Sequence, residues 1–277
     1  HYVTHSFDTV SEEAVSILAT TDAEEKAMRA VAFGQTWLDE PILPVEPRAM
    51  PKRPARPDRP ELLAPGKVRR RKINRGIKGR IALIHALAHI ELNAIDLACD
   101  IIARFAHTND LPVDFTRDWI AVAADEAKHF RLLNARLCDF DAVYGDLPAH
   151  DGLWEAAENT AEDILARLAV VPLVLEARGL DVTPIMIEKL RAAEDDESAD
   201  ILEIIHRDEI THVAAGQRWF DYLCNARGFT PSATFKDLVR RYFKGDLKPP
   251  FNETSRTAAG MPKSFYEQSD VKSLAQQ

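Results

Sequence analysis

The sequence has few of the features that mark secreted or membrane proteins. It contains only three cysteines, Cys99, Cys138 and Cys224, and none of them belongs to a Cys-x-x-Cys motif. No apolar run approaches the roughly 18 residues that span a bilayer. The first residues also lack the basic and then hydrophobic order of a secretory signal. We therefore expect reduced, buried thiols, no membrane partner and a cytoplasmic location.

Strand-like alternation of apolar and polar residues is absent over any useful length, so the sequence predicts an all-α fold. Apolar residues at helical spacing predict four long helices, at about 80–106, 114–144, 152–178 and 197–227. The third helix is expected to end at Gly179, a residue suited to a C-cap. Pro172 predicts a kink in that helix, and Pro184 predicts the start of a separate short helix that ends near Ala193.

The segments around these helices divide the chain further. Residues 1–40 are predicted to be helical, with Asp22 as an N-cap. Residues 41–79 are predicted to form an extended arm, because eight of the sixteen prolines lie between positions 41 and 65. A four-helix bundle then occupies residues 80–227, and a C-terminal helix and tail, residues 228–277, are expected to pack on it.

Charge is unevenly distributed along the chain. The net charge is −9, yet residues 52–80 carry +10, which leaves −19 for the rest. A basic segment beside an acidic body can bind nucleic acid, an anionic substrate or that body itself. Residues 52–80 contain no Phe, Tyr or Trp that would stack on bases. We therefore expect the segment to pack largely on the acidic body and to bind nucleic acid only weakly.

Two motifs point to metal chemistry. Residues 125–129 (DEAKH) and 208–212 (DEITH) both read Asp-Glu-x-x-His, and each has a glutamate with apolar neighbours upstream, Glu91 and Glu176. On a helix, residues three apart share a face, so each Glu-x-x-His directs one carboxylate and one imidazole to the same point. A carboxylate on an apolar face is costly unless it is paired or binds a metal. The set is that of two-metal carboxylate bundles.

The spacing supports two similar helical hairpins, because 35 residues separate Glu91 from Glu126 and 33 separate Glu176 from Glu209. We predict that two metal ions, iron in first place and manganese in second, each take one histidine, with Glu126 and Glu209 bridging and Glu91 and Glu176 terminal. The predicted metal ligands are Glu91, Glu126, His129, Glu176, Glu209 and His212. Asp125 and Asp208 are predicted to orient the histidines in a crossed pairing, Asp125 with His212 and Asp208 with His129.

Over nearly its whole length the chain resembles the ferritin-like family called domain of unknown function 455. The resemblance lies in residues 53–60 (RPARPDRP), 85–97 (HALAHIELNAIDL), 125–130 (DEAKHF), 176–184 (EARGLDVTP), 208–213 (DEITHV), 218–220 (RWF) and 250–252 (PFN). It implies a ferritin-like four-helix bundle with a dinuclear site, without supplying a reaction. In ligand order alone, the chain is more distantly similar to carboxylate-bridged di-iron tRNA hydroxylases.

Three functional hypotheses follow from this ligand set. The first is a non-haem di-iron oxidoreductase, an oxidase or hydroxylase that uses O₂ and an external reductase to act on a small molecule or a modified nucleoside. The second is a ferroxidase or iron-handling protein, for which iron itself is the substrate. The third is a binding module in which one metal only braces the bundle, although six ligands exceed the need of one tetrahedral structural zinc.

Overall fold

The computed structural model describes residues 7–64, 66–68, 73 and 76–267. Within these residues the fold is all-α apart from two strands of two residues each. In chain order the elements are α1 (Val10–Leu18), α2 (Ala23–Trp37), β1 (Leu62–Leu63), α3 (Ile77–Phe105), α4 (Val113–Asp139), β2 (Ala149–His150), α5 (Gly152–Asn159), α6 (Ile164–Val170), a π turn (Val171–Glu176), α7 (Ala177–Ala192), α8 (Asp196–Ala226), α9 (Pro231–Tyr242), α10 (Glu253–Ala258) and a 3-10 turn (Lys263–Phe265). The predicted all-α class is confirmed.

The bundle consists of two helical hairpins. Helix α3 packs along α4, and the continuous helical stretch from α6 to α7 packs along α8. The hairpins meet through α4 and α8, and one contiguous apolar core joins them. Helices α1 and α2 cover α3 and α4 from outside, while α9 packs on α6 and α8.

The third helix of the bundle differs from its predicted course in two places. It is interrupted after Asn159, and it restarts at α6, where the Asp163 carboxylate accepts hydrogen bonds from the amides of the next turn. It then runs through Gly179 and Pro184 to Ala192, so the predicted C-cap and the predicted separate short helix are both wrong.

Tertiary contacts explain why the helix continues. A proline removes one backbone donor, and so leaves the carbonyl four residues earlier without its helical partner. For Pro184 that carbonyl belongs to Leu180, and it accepts a hydrogen bond of 3.1 Å from the Asn252 side chain. The predicted kink at Pro172 takes the form of the π turn.

The N-terminal helices and the arm are tied to the bundle by buried charge. The Asp22 side chain caps α2, as predicted. The Lys26 ammonium lies 2.6 Å from one oxygen of Asp96 on α3, and the Arg56 guanidinium of the arm lies 3.0 Å from the other. Strand β1 of the arm pairs in parallel with β2, which follows α4.

Basic residues of the segment 52–80 contact acidic partners of the body where the structure describes them. Arg53 pairs with Asp151, Arg56 with Asp96, and Arg80 with Asp195. The basic cluster of residues 69–72, together with Arg75, lies outside the described residues. At least three positive charges of this segment are therefore paired with acidic residues of the body.

Helix α3 is long and apolar enough to cross a membrane by length and composition alone, but 67% of that apolar window is buried inside the protein. Such burial is typical of the core helix of a soluble protein. Two of the cysteines, Cys99 and Cys224, are buried as expected. The expectation is wrong for Cys138, which is exposed near the end of α4. Sequence periodicity assigned it to a helix without fixing which face it occupies.

Candidate metal centre

Carboxylates and imidazoles converge inside the bundle from three helices. Ligand atoms of Glu91 on α3, Glu126 and His129 on α4, and Glu209 on α8 all lie within 4.8 Å of one another. His212 joins them, because its Nδ1 atom lies 3.0 Å from Glu126 and 3.4 Å from Glu209. This cluster could hold a metal ion.

Glu176, the remaining predicted ligand, is the last residue of the π turn, and its Oε2 atom is buried. It is not among the four residues within 4.8 Å of one another. Its pKa is raised well above the ordinary value by burial and by the neighbouring charges of Glu209 and Glu126. The side chain therefore faces the same acidic interior.

Three buried polar atoms of the cluster have no hydrogen-bond partner among the described residues: Oε2 of Glu126, Nδ1 of His129 and Oε2 of Glu176. A buried polar atom without a partner typically costs about 1–3 kcal/mol. Cations would satisfy all three atoms at once. Carboxylate oxygen and imidazole nitrogen are also the ligands that suit iron and manganese, so the residues present fit such ions.

The two histidines are held by aspartates of the opposite helix. Nε2 of His129 lies 3.0 Å from Asp208 on α8, and Nε2 of His212 lies 3.1 Å from Asp125 on α4. In the neutral form that binds a metal, with the proton on Nε2, each Nδ1 lone pair would face the glutamates. This crossed pattern is the pairing expected from the two-fold relation of the motifs.

Burial and like charge raise the pKa of three glutamates, Glu91, Glu176 and Glu209. Glu126 behaves in the opposite way: burial would raise its pKa, but its close contacts with Glu91 and with the two imidazoles lower it well below its usual range. Without cations, the cluster therefore retains protons on some of its carboxylates. Metal binding would displace them, so affinity should rise with pH.

Both histidines favour the charged form in this setting. Burial opposes the charge on His129, but the hydrogen bond to Asp208 and the nearby carboxylate of Glu126 raise its pKa to about 8. For His212, burial likewise opposes the charge, and the carboxylates of Glu209 and Glu126 raise its pKa well above the ordinary value. The protonated imidazoles thus supply part of the positive charge that the carboxylates need.

One residue of the site was missed by the sequence analysis. The Lys128 ammonium lies 2.6 Å from Asp208, the carboxylate that also accepts from His129. The His129 hydrogen bond and this ammonium together hold the pKa of Asp208 far below its usual range. Position 128 lies inside the first motif, but contact with the other motif requires the antiparallel register of α4 and α8, which the sequence does not show.

Other residues with possible site roles are engaged elsewhere. His85 accepts hydrogen bonds from the loop after α4, with the Gly145 amide at 2.9 Å. His89 contacts the Tyr144 hydroxyl and the His150 carbonyl, each at 2.8 Å. Trp219 donates to Asp118 at 2.8 Å. None of these contacts reaches the cluster of glutamates.

The comparisons with known proteins agree with the resemblance seen in the sequence. A family model described as "Protein of unknown function (DUF455)" matches residues 19–267. The chain belongs to this family. It is 42% identical over 208 residues to an uncharacterised protein of Haemophilus influenzae, a match that covers 74% of this chain and 72% of that protein. No solved structure matches the chain.

Proposed function

We propose that this member of the family is a two-metal carboxylate oxidoreductase that uses O₂ to oxidise an organic substrate. Iron is the first candidate and manganese the second. The observation that carries the proposal is the buried cluster, in which carboxylates and imidazoles from separate helices meet and three ligand-type atoms lack partners. Four glutamates would balance the four charges of two divalent ions.

The residues have distinct roles in this proposal. One oxygen of Glu126 lies 3.0 Å from His212, and the other lies 3.4 Å from His129, so Glu126 stands between the two imidazoles and suits a bridging role. Glu209, the second proposed bridging ligand, lies 3.4 Å from Nδ1 of His212. Glu91 and Glu176 would each be terminal ligands of one ion. The aspartates orient the imidazoles from behind.

When bound, a reduced metal pair supplies the coordination positions and electrons for O₂ activation. The protein supplies position and exclusion of water, since the imidazoles of His129 and His212 are almost fully buried. For a hydroxylation, one C–H bond, one O₂, two electrons and two protons give one C–OH group and one water. The two electrons come from an external reductase.

Retention of the metals distinguishes this proposal from iron storage. Each ion would have one histidine, one terminal glutamate and a share of the bridging glutamates. Each histidine is further braced by an aspartate at 3.0–3.1 Å. Such matched ligand sets suit ions that stay in place through turnover, whereas a ferroxidase must release its oxidised iron.

The test is an anaerobic Fe(II) titration followed by O₂. We expect two iron ions per chain, one round of oxidation, and no further turnover until external electrons are supplied. Glu126→Gln should lose this behaviour, and Glu188→Gln, on the exposed face of α7, should keep it.

Other outcomes would contradict the proposal in different ways. Continued Fe(II) oxidation with iron accumulating far beyond two per chain would indicate a ferroxidase, and a single tightly held metal without redox activity would indicate a structural site. Tight tRNA binding with a steep salt dependence would direct the search for a substrate to a modified nucleoside.

A further inference from the structure

Helix α8 approaches the π turn so closely at Gly216 that no side chain fits there. A Cβ atom on Gly216 would lie 2.5 Å from Cβ and 2.7 Å from Cγ of Pro172. Glycine is a poorer helix former than alanine, and the two residues before it, Ala214 and Ala215, are alanines. The glycine in this helix interior is therefore explained by the close approach.

The π turn itself decides where Glu176 points. Pro172 has no amide hydrogen, and its carbonyl accepts from the amide of Ala177, five residues later, in place of the usual four. One additional residue in a helix rotates all that follows by about 100°. Glu176 is the last residue of this turn, so its direction depends on whether the turn forms.

The contact between Gly216 and Pro172 lies close to the candidate ligands along both helices. Pro172 lies four residues before Glu176, and Gly216 lies four residues after His212. Since the two packed helices form a hairpin and run antiparallel, the pair Pro172 and Gly216 lies one turn from the pair Glu176 and His212. The close approach thus fixes the separation of the two helices next to the metal ligands.

We propose that Gly216 and Pro172 form a positioning contact, which holds the π turn and sets Glu176 against Glu209 and His212. The inference rests on the proposed function, because it states that this contact is needed for binding of the second metal ion, to which Glu176 is the terminal ligand. Neither residue is among the predicted metal ligands.

Two substitutions test the contact. Gly216→Ala forces the helices apart, and it should reduce Mn(II) binding from two ions per chain to one. Pro172→Ala adds no atom, removes the ring atoms that face Gly216 and restores an amide donor. It should also weaken the second ion at least tenfold, in a protein that folds normally. The matched control is Gly179→Ala in α7, where an added Cβ meets nothing within 4 Å; it should bind two ions and melt no lower than the wild type.

The first readout is the number of Mn(II) ions bound per chain, measured through the EPR signal of the free ion. The second is a crystal structure of the metal-free Gly216→Ala protein. We expect the Glu176 carboxylate to move away from Glu209, with Glu91, Glu126 and His129 in place. Two ions at wild-type affinity in both variants, or an unmoved Glu176, would overturn the positioning role and leave the proposed function intact. A wild-type protein that binds no Mn(II) or Fe(II) would overturn the proposed function, and this inference with it.

Discussion

The imidazole of His212 on α8 is hydrogen-bonded to the Asp125 carboxylate on α4, with 3.1 Å between Nε2 and Oδ2. The same relationship recurs with the helices exchanged, since His129 on α4 reaches Asp208 on α8 at 3.0 Å. Each helix therefore supplies a metal-type ligand and the group that orients the ligand of its neighbour. The two halves of the candidate centre cannot be positioned independently.

Loss of either aspartate should weaken metal binding. We expect Asp125→Asn and Asp208→Asn each to lower metal affinity about 10–100-fold, because the imidazole loses the charge that fixes its tautomer. Isothermal titration with Mn(II) measures the effect. Asp118→Asn is the control, since Asp118 is on α4 but binds Arg218 and Trp219. Unchanged affinity in both variants would show that the aspartates serve only the fold.

Glu91→Gln should change stability and metal binding in opposite directions. Burial and then the Glu126 carboxylate raise the pKa of Glu91, so this group favours folding below about pH 4.5 and loses that contribution as pH rises. At pH 8 the metal-free variant should therefore be more stable than the wild type. It should also lose at least one metal ion. Urea unfolding at pH 4 and pH 8 checks the sign, with Glu188→Gln as the control; a less stable metal-free variant at pH 8 would refute the argument.

Protonation of His85 should lower the stability of the folded protein in weak acid. Burial lowers its pKa, although the charge of Asp146 opposes the shift. The folded state then binds fewer protons than the unfolded state, so the stability contributed above about pH 6.5 is lost as pH falls below it. The His85→Gln variant keeps an acceptor for the Gly145 amide and cannot titrate. Its free energy of unfolding should therefore fall less steeply between pH 6.5 and 4.5, and parallel curves would contradict the prediction.

Lys26→Met should be strongly destabilising. The Lys26 and Asp96 side chains are 1% and 0% exposed, so removal of the ammonium leaves a buried carboxylate with Arg56 as its remaining cation. We expect a loss of about 3 kcal/mol, and partial recovery in Lys26→Met with Asp96→Asn. Arg131→Ala, which removes an exposed ion pair with Glu24, should cost less than about 1 kcal/mol. Urea denaturation measures all three, and equal losses for the buried and exposed pairs would refute the prediction.

The positions of the cluster residues were predictable because they follow from helical periodicity. Glu126 and His129 are three residues apart, as are Glu209 and His212, so each pair shares a face wherever its helix packs. The crossed aspartates were also accessible to this reasoning, since each aspartate points about 100° away from the glutamate that follows it, and the two-fold relation of the motifs then favours the histidine of the other helix. These inferences use local geometry only.

The course of the third helix could not be predicted from such rules. Gly179 and Pro184 are signals for an end and a start, but tertiary contacts override both. The carbonyl that Pro184 leaves without a partner is satisfied by Asn252, which lies far along the chain. The π turn at Pro172 likewise depends on Gly216 of another helix. Neither contact leaves a mark in the local sequence.

The pairing of Lys26 with Asp96 also constrains when the protein can fold during synthesis. Helix α2 leaves the ribosome first, yet the counter-charge of its buried ammonium lies 70 residues further along the chain. Contacts between such distant positions form late, because the entropy of closing a long loop must first be overcome. The N-terminal helices can therefore adopt their packed positions only after α3 has been synthesised. We expect them to acquire protection from proteases only after α3 has emerged, together with the bundle and not before it.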